Sequence, residues 1–124
     1  MSIASTMKRR RQPKTAEFSC HPNEFDLIRI TRAIAQRARY RYVTPVIVPV
    51  EHGYLIRSAC CSRTVDPAGG EIDVALLRWE TDPAQWLLLR MDHGTGCWVE
   101  DSRYARLAEL FLRLNADPQR LFWP

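Results

Sequence analysis

The stretch between residues 43 and 100 constrains the fold most, because short runs of strand-forming residues alternate there with clusters of turn residues. The turn clusters are EHG at 51–53, DPAGG at 66–70 and DHGTG at 92–96. This alternation predicts an antiparallel meander of neighbouring strands. Helical spacing of apolar residues precedes and follows it. The sequence therefore predicts an α+β fold with an N-terminal helix, an antiparallel β-meander of four to five strands, and a C-terminal helix packed on the sheet.

Four strands are predicted from the runs themselves, over residues 43–50, 54–63, 85–91 and 97–100. The first contains Pro45 and Pro49, which have no N–H to donate, so it is predicted as an edge strand or an irregular one. A further segment, residues 71–80, has apolar spacings that fit a helix as well as a strand. In the hairpin formed by the last two strands, Trp86 and Trp98 are predicted to pair across the strands.

Two segments have the apolar spacing of amphipathic helices. The first begins at Pro22, with Asn23 as an alternative cap, and runs to about residue 41. Its predicted core face consists of Leu27, Ile30, Thr31, Ile34 and Ala38, widened by Phe25 and Ile28. The second is predicted to begin at an N-cap, Ser102, and to end before Pro118. Its predicted buried stripe consists of Tyr104, Leu107, Ala108, Phe111 and Leu114. The three large apolar residues at 121–123 must pack on the sheet or on a partner.

The basic excess of the chain lies before its first acid, Glu17. The formal net charge is +4, from 18 Lys and Arg against 14 Asp and Glu. Five basic residues precede Glu17, namely Lys8, Arg9, Arg10, Arg11 and Lys14. Without these five, 13 basic residues face 14 acidic ones, so the remainder is nearly neutral. We therefore predict a disordered basic tail over residues 1–18 and a single α+β domain over residues 19–124.

The chain has no sequence signal for a membrane or for export. No apolar run approaches the roughly 18 residues of a membrane span. The basic N-terminal stretch lacks the apolar segment that follows it in a secretory signal. We therefore expect a cytoplasmic protein with no membrane partner, whose cysteines are reduced thiols.

Arginine residues of the first helix predict one possible binding function. Together with the tail they offer a phosphate-binding set, consisting of Lys8, Arg9, Arg10, Arg11, Lys14, Arg29, Arg32 and Arg39. Arg37 and Arg41 lie nearby, and Tyr40 and Tyr42 offer faces on which bases stack. An arginine-rich helix face is also the ordinary composition of a solvated surface. Weak nucleic-acid binding is therefore an alternative function.

Cysteine and histidine residues leave a metal or reactive site open. The candidates are Cys20, Cys60, Cys61 and Cys97 with His21, His52 and His93. The paired spacing of a zinc site, C-x-x-C, does not occur, and adjacent residues on a strand point apart. No nucleophile signature is present either. We expect no cofactor and no small-molecule substrate, and a cysteine- or zinc-dependent enzyme ranks third among the functions.

Three motifs lie in a fixed order along the chain: VALLRW at 74–79, WLLLRMDHGTGCW at 86–98 and DPQRLFW at 117–123. With the N-terminal helix, they resemble a family of small bacterial proteins known only as a domain of unknown function. That family has a helix, a tryptophan-containing β-meander, a helix and an Asp-Pro-x-x-x-Phe-Trp ending. The resemblance implies that residues 72–79 form a strand, and it implies no activity or catalytic residue. The chain departs from the family at Pro124, where glycine is usual, and at the CCSR of residues 60–63.

The first-ranked function is a non-catalytic protein-interaction or self-associating module. Four tryptophans are many for 124 residues, and most are expected in the core. An exposed sheet face or the edge strand remains for contact with another protein or with a second copy, as a homodimer.

Overall fold

The structure is a computed structural model, and it describes residues 20–38, 43–59 and 70–123. Its elements in chain order are α1 (Glu24–Ile34), β1 (Val46–Val50), β2 (Gly53–Ala59), β3 (Glu71–Thr81), β4 (Ala84–Asp92), β5 (Cys97–Tyr104) and α2 (Leu107–Ala116). The five strands form one antiparallel sheet in the order β1-β2-β3-β4-β5. The predicted α+β class and meander are confirmed, and the ambiguous segment is the strand β3.

One face of the sheet, here called the inner face, is covered by both helices. The sheet contributes Tyr54, Ile56, Ile72, Val74, Ala75, Leu77, Trp86 and Leu88 to the buried core. The helices contribute Ile30, Ile34, Leu107, Leu110 and Leu114 to the same cluster. Because successive residues of a strand point to opposite sides, the alternate residues lie on the other face, here called the outer face.

The N-terminus of α1 is fixed by a polar side chain. Asn23 is the N-cap, and its Oδ1 accepts a hydrogen bond from the backbone N–H of Asp26 at 2.7 Å. The Asn23 amide donates in return to Asp26 Oδ2 at 3.0 Å. The alternative cap is therefore correct, and Pro22 lies outside the helix. Phe25 and Ile28, predicted to widen the core face, are 72% and 51% exposed instead.

The C-terminus of α1 falls earlier than the predicted end near residue 41. The helix ends at Ile34 because other groups take its last carbonyls. Asn115 of α2 donates its side-chain amide to Ala33 O at 2.9 Å, and Arg37 donates to Ile34 O at 2.9 Å. Arg37 is only 3% exposed, and its guanidinium lies over the ring of Trp123, 4.9 Å from the centroid. Arg37 is thus buried against Trp123 and is not a surface cation.

The second helix begins later than predicted, at Leu107. Ser102 is not an N-cap but a residue of β5, where it pairs with Leu88 and its hydroxyl donates to Asp101 Oδ2 or Tyr104 Oη. Strand pairing therefore continues through Tyr104, which the helical spacing had assigned to α2. Inside α2 the buried residues are Leu107, Leu110 and Leu114.

The tryptophans of the last hairpin do not pair with each other. Trp86 pairs with Tyr104 on the inner face, whereas Trp98 pairs with Met91 on the outer face. The hairpin register separates them, because Met91, the partner of Trp98, lies five residues from Trp86 on β4 and so points to the opposite face. Trp86 instead packs against the ring of Trp79 of β3, with centroids 5.3 Å apart.

Residues 117–123, here called the C-terminal clasp, close the inner face. The Asp117 carboxylate is fully buried and accepts backbone N–H groups from Leu121, Phe122 and Trp123 at 2.7, 3.1 and 2.7 Å. The Trp123 indole donates to Leu114 O at 3.0 Å. Phe122 and Trp123 are both fully buried, so the terminal apolar residues pack within the chain.

Candidate binding groove on the outer face

An apolar row crosses the outer face at right angles to the strands. Val48 pairs with Leu55, Leu55 with Leu76, and Leu76 with Leu89, so the four side chains come from four neighbouring strands. None of these residues belongs to the core cluster under the helices. The sheet therefore has a second apolar layer on the side away from α1 and α2.

A groove of about 530 Å³ opens over the middle of this apolar row, at Leu55 and Leu76. It is lined by Val50, Glu51, His52, Leu55, Asp73, Leu76, Arg78 and Trp98. Gly53 pairs with Arg78 beside it, and a Cβ on Gly53 would lie 1.9 Å from Leu77 O. Close backbone approach thus requires glycine here, and no side chain stands next to Arg78 on β2.

Arg78 is the charged residue of the groove lining that has no ion-pair partner among the described residues. Asp73 Oδ1 forms an ion pair with Arg57 Nε at 2.9 Å. Glu51 lies 3.4 Å from Nε2 of the half-exposed His52, and this pair is ionic only while the imidazole is protonated. Arg78 forms no ion pair with any residue of the described ranges. The groove therefore presents a guanidinium that no acid binds, beside an apolar surface.

The other half of the outer face is closed by a salt bridge. Arg103 of β5 binds Glu80 of β3 at 2.8 Å, so the two side chains pass over Leu87 of the strand between them. A hydrogen bond from Gln85 and the charge of Arg103 hold the pKa of Glu80 below its usual value. Leu87 is only 4% exposed as a result. The open part of this face is the groove.

A second polar cluster lies on the inner side, between α1 and β2. His21 Nδ1 lies 3.0 Å from the Tyr54 hydroxyl, which also accepts from the Asn23 backbone N–H at 2.9 Å. Asp26 Oδ2 is 3.4 Å from His21 Nδ1, and the His21 ring packs 4.5 Å from the ring of Trp86. These groups satisfy one another at the start of α1, so the cluster is explained by helix capping.

Burial makes the His21 cluster sensitive to acid. Desolvation lowers the pKa of His21, the charge of Asp26 opposes this, and Arg29 adds to it. Because the pKa of His21 is lower in the folded state than in the unfolded state, the neutral imidazole contributes fully to stability above about pH 6.5. This contribution is lost as the pH falls below that value. We expect His21→Gln to flatten the fall in unfolding free energy between pH 7 and pH 5, as measured by urea titration.

The control for this experiment is His52→Asn, which removes a half-exposed imidazole. Asparagine tolerates the left-handed backbone of this turn, where φ is 63°. We expect the acid sensitivity of this variant to match that of the native chain. A full acid-dependent loss in His21→Gln would contradict the role of His21.

The structure places few of the sequence-predicted site residues together. Arg29 binds Asp26 at 2.9 Å and Arg32 is exposed, both on α1. The other members of the phosphate-binding set, Lys8, Arg9, Arg10, Arg11, Lys14 and Arg39, lie outside the described residues, as do Cys60 and Cys61. Cys20 and Cys97 are exposed free thiols. Among the described residues no three His, Cys, Asp or Glu side chains group as metal ligands do.

The groove could not be predicted from the sequence. Arg78 and Gly53 are 25 positions apart, and only the register of β2 on β3 makes them neighbours. Trp98 reaches the groove from the far end of the sheet order. No sequence signal shows such a placement before the register is known.

One family model matches the chain over residues 18–124, and its description is a domain of unknown function (DUF3024). The chain belongs to this family. The DUF3024 match agrees with the helix, meander and helix that the structure contains. No curated protein and no solved structure matches the chain. In the described ranges of this DUF3024 protein, no helix has the length and apolar character needed to cross a membrane.

Proposed function

We propose that this protein is a non-catalytic interaction module whose outer groove holds an extended segment of a partner protein. The observation that carries the proposal is the apolar part of the groove lining, Val50, Leu55, Leu76 and Trp98, which lies on the side away from both helices. The partner segment brings apolar side chains to cover these residues. Removing apolar surface from water supplies the affinity.

The shape of the groove favours a polypeptide over a small molecule. Its volume is within the range of about 300–1,000 Å³ that small-ligand pockets occupy. Such pockets bury most of their ligand, however, and this groove is an open one whose lining includes the exposed residues Glu51 and Arg78. A partner segment supplies the cover that the groove itself lacks.

The free edge of β1 is poorly suited to strand addition. Val50 and Gly53 close a two-residue turn, and such a closing pair exchanges hydrogen bonds. The nitrogen of Pro49 then faces the free edge, as does that of Pro45, four residues earlier. Neither proline has an N–H, so among 45, 47 and 49 only Ile47 offers a donor. Prolines at this edge favour contact through the face of the sheet.

The charges of the outer face favour a protein over a nucleic acid. Among the described residues of this face, three arginines, Arg57, Arg78 and Arg103, face four acids, Glu71, Asp73, Glu80 and Glu100. Phosphate backbones bind where basic residues are in excess. Weak nucleic-acid binding stays a separate prediction for the tail and α1, and a mobility shift at low salt tests it.

Phage display tests this proposal: random heptapeptides displayed on phage are selected for binding to the full chain. We expect enriched peptides to be apolar, and their synthetic forms to shift the indole N–H resonance of Trp98 and the amides of Leu55 and Leu76. Leu76→Lys should abolish the enrichment, and Trp98→Ala should weaken it. The matched control is Leu112→Lys, which replaces a 74% exposed leucine of α2 and should bind like the native chain.

Three results would overturn the proposal. The first is no enrichment above an unrelated protein. The second is that the enriched peptides shift only resonances of α1 and α2. The third is concentration-dependent sedimentation of the full chain that Leu76→Lys abolishes, since a second copy would then occupy the outer face. Dispersed amide spectra of the variants show that each still folds.

A further inference from the structure

We infer that the groove selects a partner segment with a carboxylate at its Arg78 end, followed by an apolar side chain between Leu55, Leu76 and Trp98. This inference rests on the proposed function and adds the chemistry of the partner. Its basis is that Arg78 has no ion-pair partner among the described residues, whereas Asp73 of the same lining is held by Arg57 and Glu51 lies beside His52.

The neighbours of Arg78 leave its guanidinium available. Glu80, two residues further along the same face, is held by Gln85 at 2.9 Å and by Arg103 at 2.8 Å. On the β2 side stands Gly53, which has no side chain. The nearest acid at the turn, Glu51, lies beside His52. No acid of the described ranges therefore neutralises Arg78.

Guanidinium chemistry determines which ligand group fits. The planar fork of arginine donates two parallel hydrogen bonds to a carboxylate and is weakly hydrated for a cation. The apolar side chains of Leu55 and Leu76 adjoin it in the groove lining. A carboxylate bound there makes a charge-assisted pair at the border of an apolar surface, where screening by water is reduced.

The opposite end of the groove fixes the orientation of the segment. Asp73 and Trp98 lie there, and Asp73 is already bound to Arg57. The described residues at that end offer an acidic group no unpaired arginine, whereas Arg78 offers one at the other end. The partner therefore places its acid near Arg78 and its large apolar side chain near Trp98.

A carboxylate suits this site better than a phosphate. A phosphoryl group carries close to two negative charges, and clusters of arginines usually bind it. The groove offers one free arginine with Glu51 and Asp73 in the same lining. The second charge of a phosphate would find no partner and two like charges.

The experiment uses an apolar heptapeptide enriched as described above, synthesised in three forms. The forms carry Asp, Asn or phosphoserine next to the apolar residue, and calorimetry measures their affinity for the full chain. We expect the Asp peptide to bind about tenfold more tightly than the Asn peptide at low salt, and this ratio to fall in high salt. The phosphoserine peptide should bind no more tightly than the Asp peptide.

Arg78→Gln should bring the Asp-to-Asn affinity ratio to about one. The matched control is Arg32→Gln, which removes an exposed arginine of α1 and should keep the ratio. Equal binding of the Asp and Asn peptides to the native chain would overturn this inference alone. A ratio that persists in Arg78→Gln would also overturn it. Failure of every peptide to bind would overturn the proposed function itself.

Discussion

Replacing Asp117 with alanine is expected to lower the unfolding free energy by about 3 kcal/mol or more. The carboxylate is fully buried and accepts three backbone N–H groups of the C-terminal clasp. Alanine leaves those donors without their acceptor, and the N–H groups of Phe122 and Trp123 are buried where water does not reach. Each buried donor left unsatisfied costs about 1–3 kcal/mol.

Urea denaturation measures this loss as a lower midpoint with an unchanged slope. Asp117→Asn removes the negative charge without adding backbone strain, because asparagine tolerates the left-handed φ of 35° at this position. It keeps one acceptor oxygen, so a smaller loss than that of alanine is expected. Glu109→Ala, at an exposed site of α2, should change stability by less than about 0.5 kcal/mol. An alanine variant at Asp117 as stable as that control would contradict the role of the carboxylate.

The fold class could be predicted because its signals are local. Turn residues such as those at 51–53 and 92–96 lie where the structure has turns, and the strands between them follow in order. Helix ends were less predictable, because distant residues determine them. α1 ends at Ile34 where Asn115 takes a carbonyl, and a contact 82 positions away leaves no trace in the helical spacing.

The candidate groove depends on cross-strand register, which composition does not encode. The bulges at Ile56/Arg57 and Leu88/Leu89 change which residues face each other. The turn at 92–96 also sets the register, since it places Trp98 opposite Met91, and Trp86 and Trp98, predicted as partners, therefore lie on opposite faces. The assignment of Trp98 to the outer face is what gives the groove its aromatic side, and it follows only from the structure.

The division of the tryptophans shows how the chain uses its apolar surface. Trp79, Trp86 and Trp123 all pack on the inner face with the core, as expected for most of them. Trp98 alone among the four lies on the outer face, where it is half-buried and lines the groove. An aromatic side chain kept on the face away from both helices stabilises the core little, so it is the tryptophan available for a partner.

Replacing Trp123 with alanine is expected to cost about 3–5 kcal/mol of unfolding free energy. The ring is fully buried at the end of the chain, where Arg37 lies over it and its indole N–H donates to Leu114 O. Alanine removes the ring from the core and leaves a cavity between the two helices' ends. Trp123→Phe keeps most of the apolar volume and loses the indole donor, so it should cost less.

A double-mutant cycle tests whether Asp117 and Trp123 act as one unit. The Asp117 carboxylate accepts the backbone N–H of Trp123, so either substitution should release the same C-terminal clasp. We therefore expect the loss in the double variant to be smaller than the sum of the two single losses. Leu112→Ala, on the exposed side of α2, should combine additively with either substitution. Additive losses at Asp117 and Trp123 would mean that the buried ring holds its place without the carboxylate.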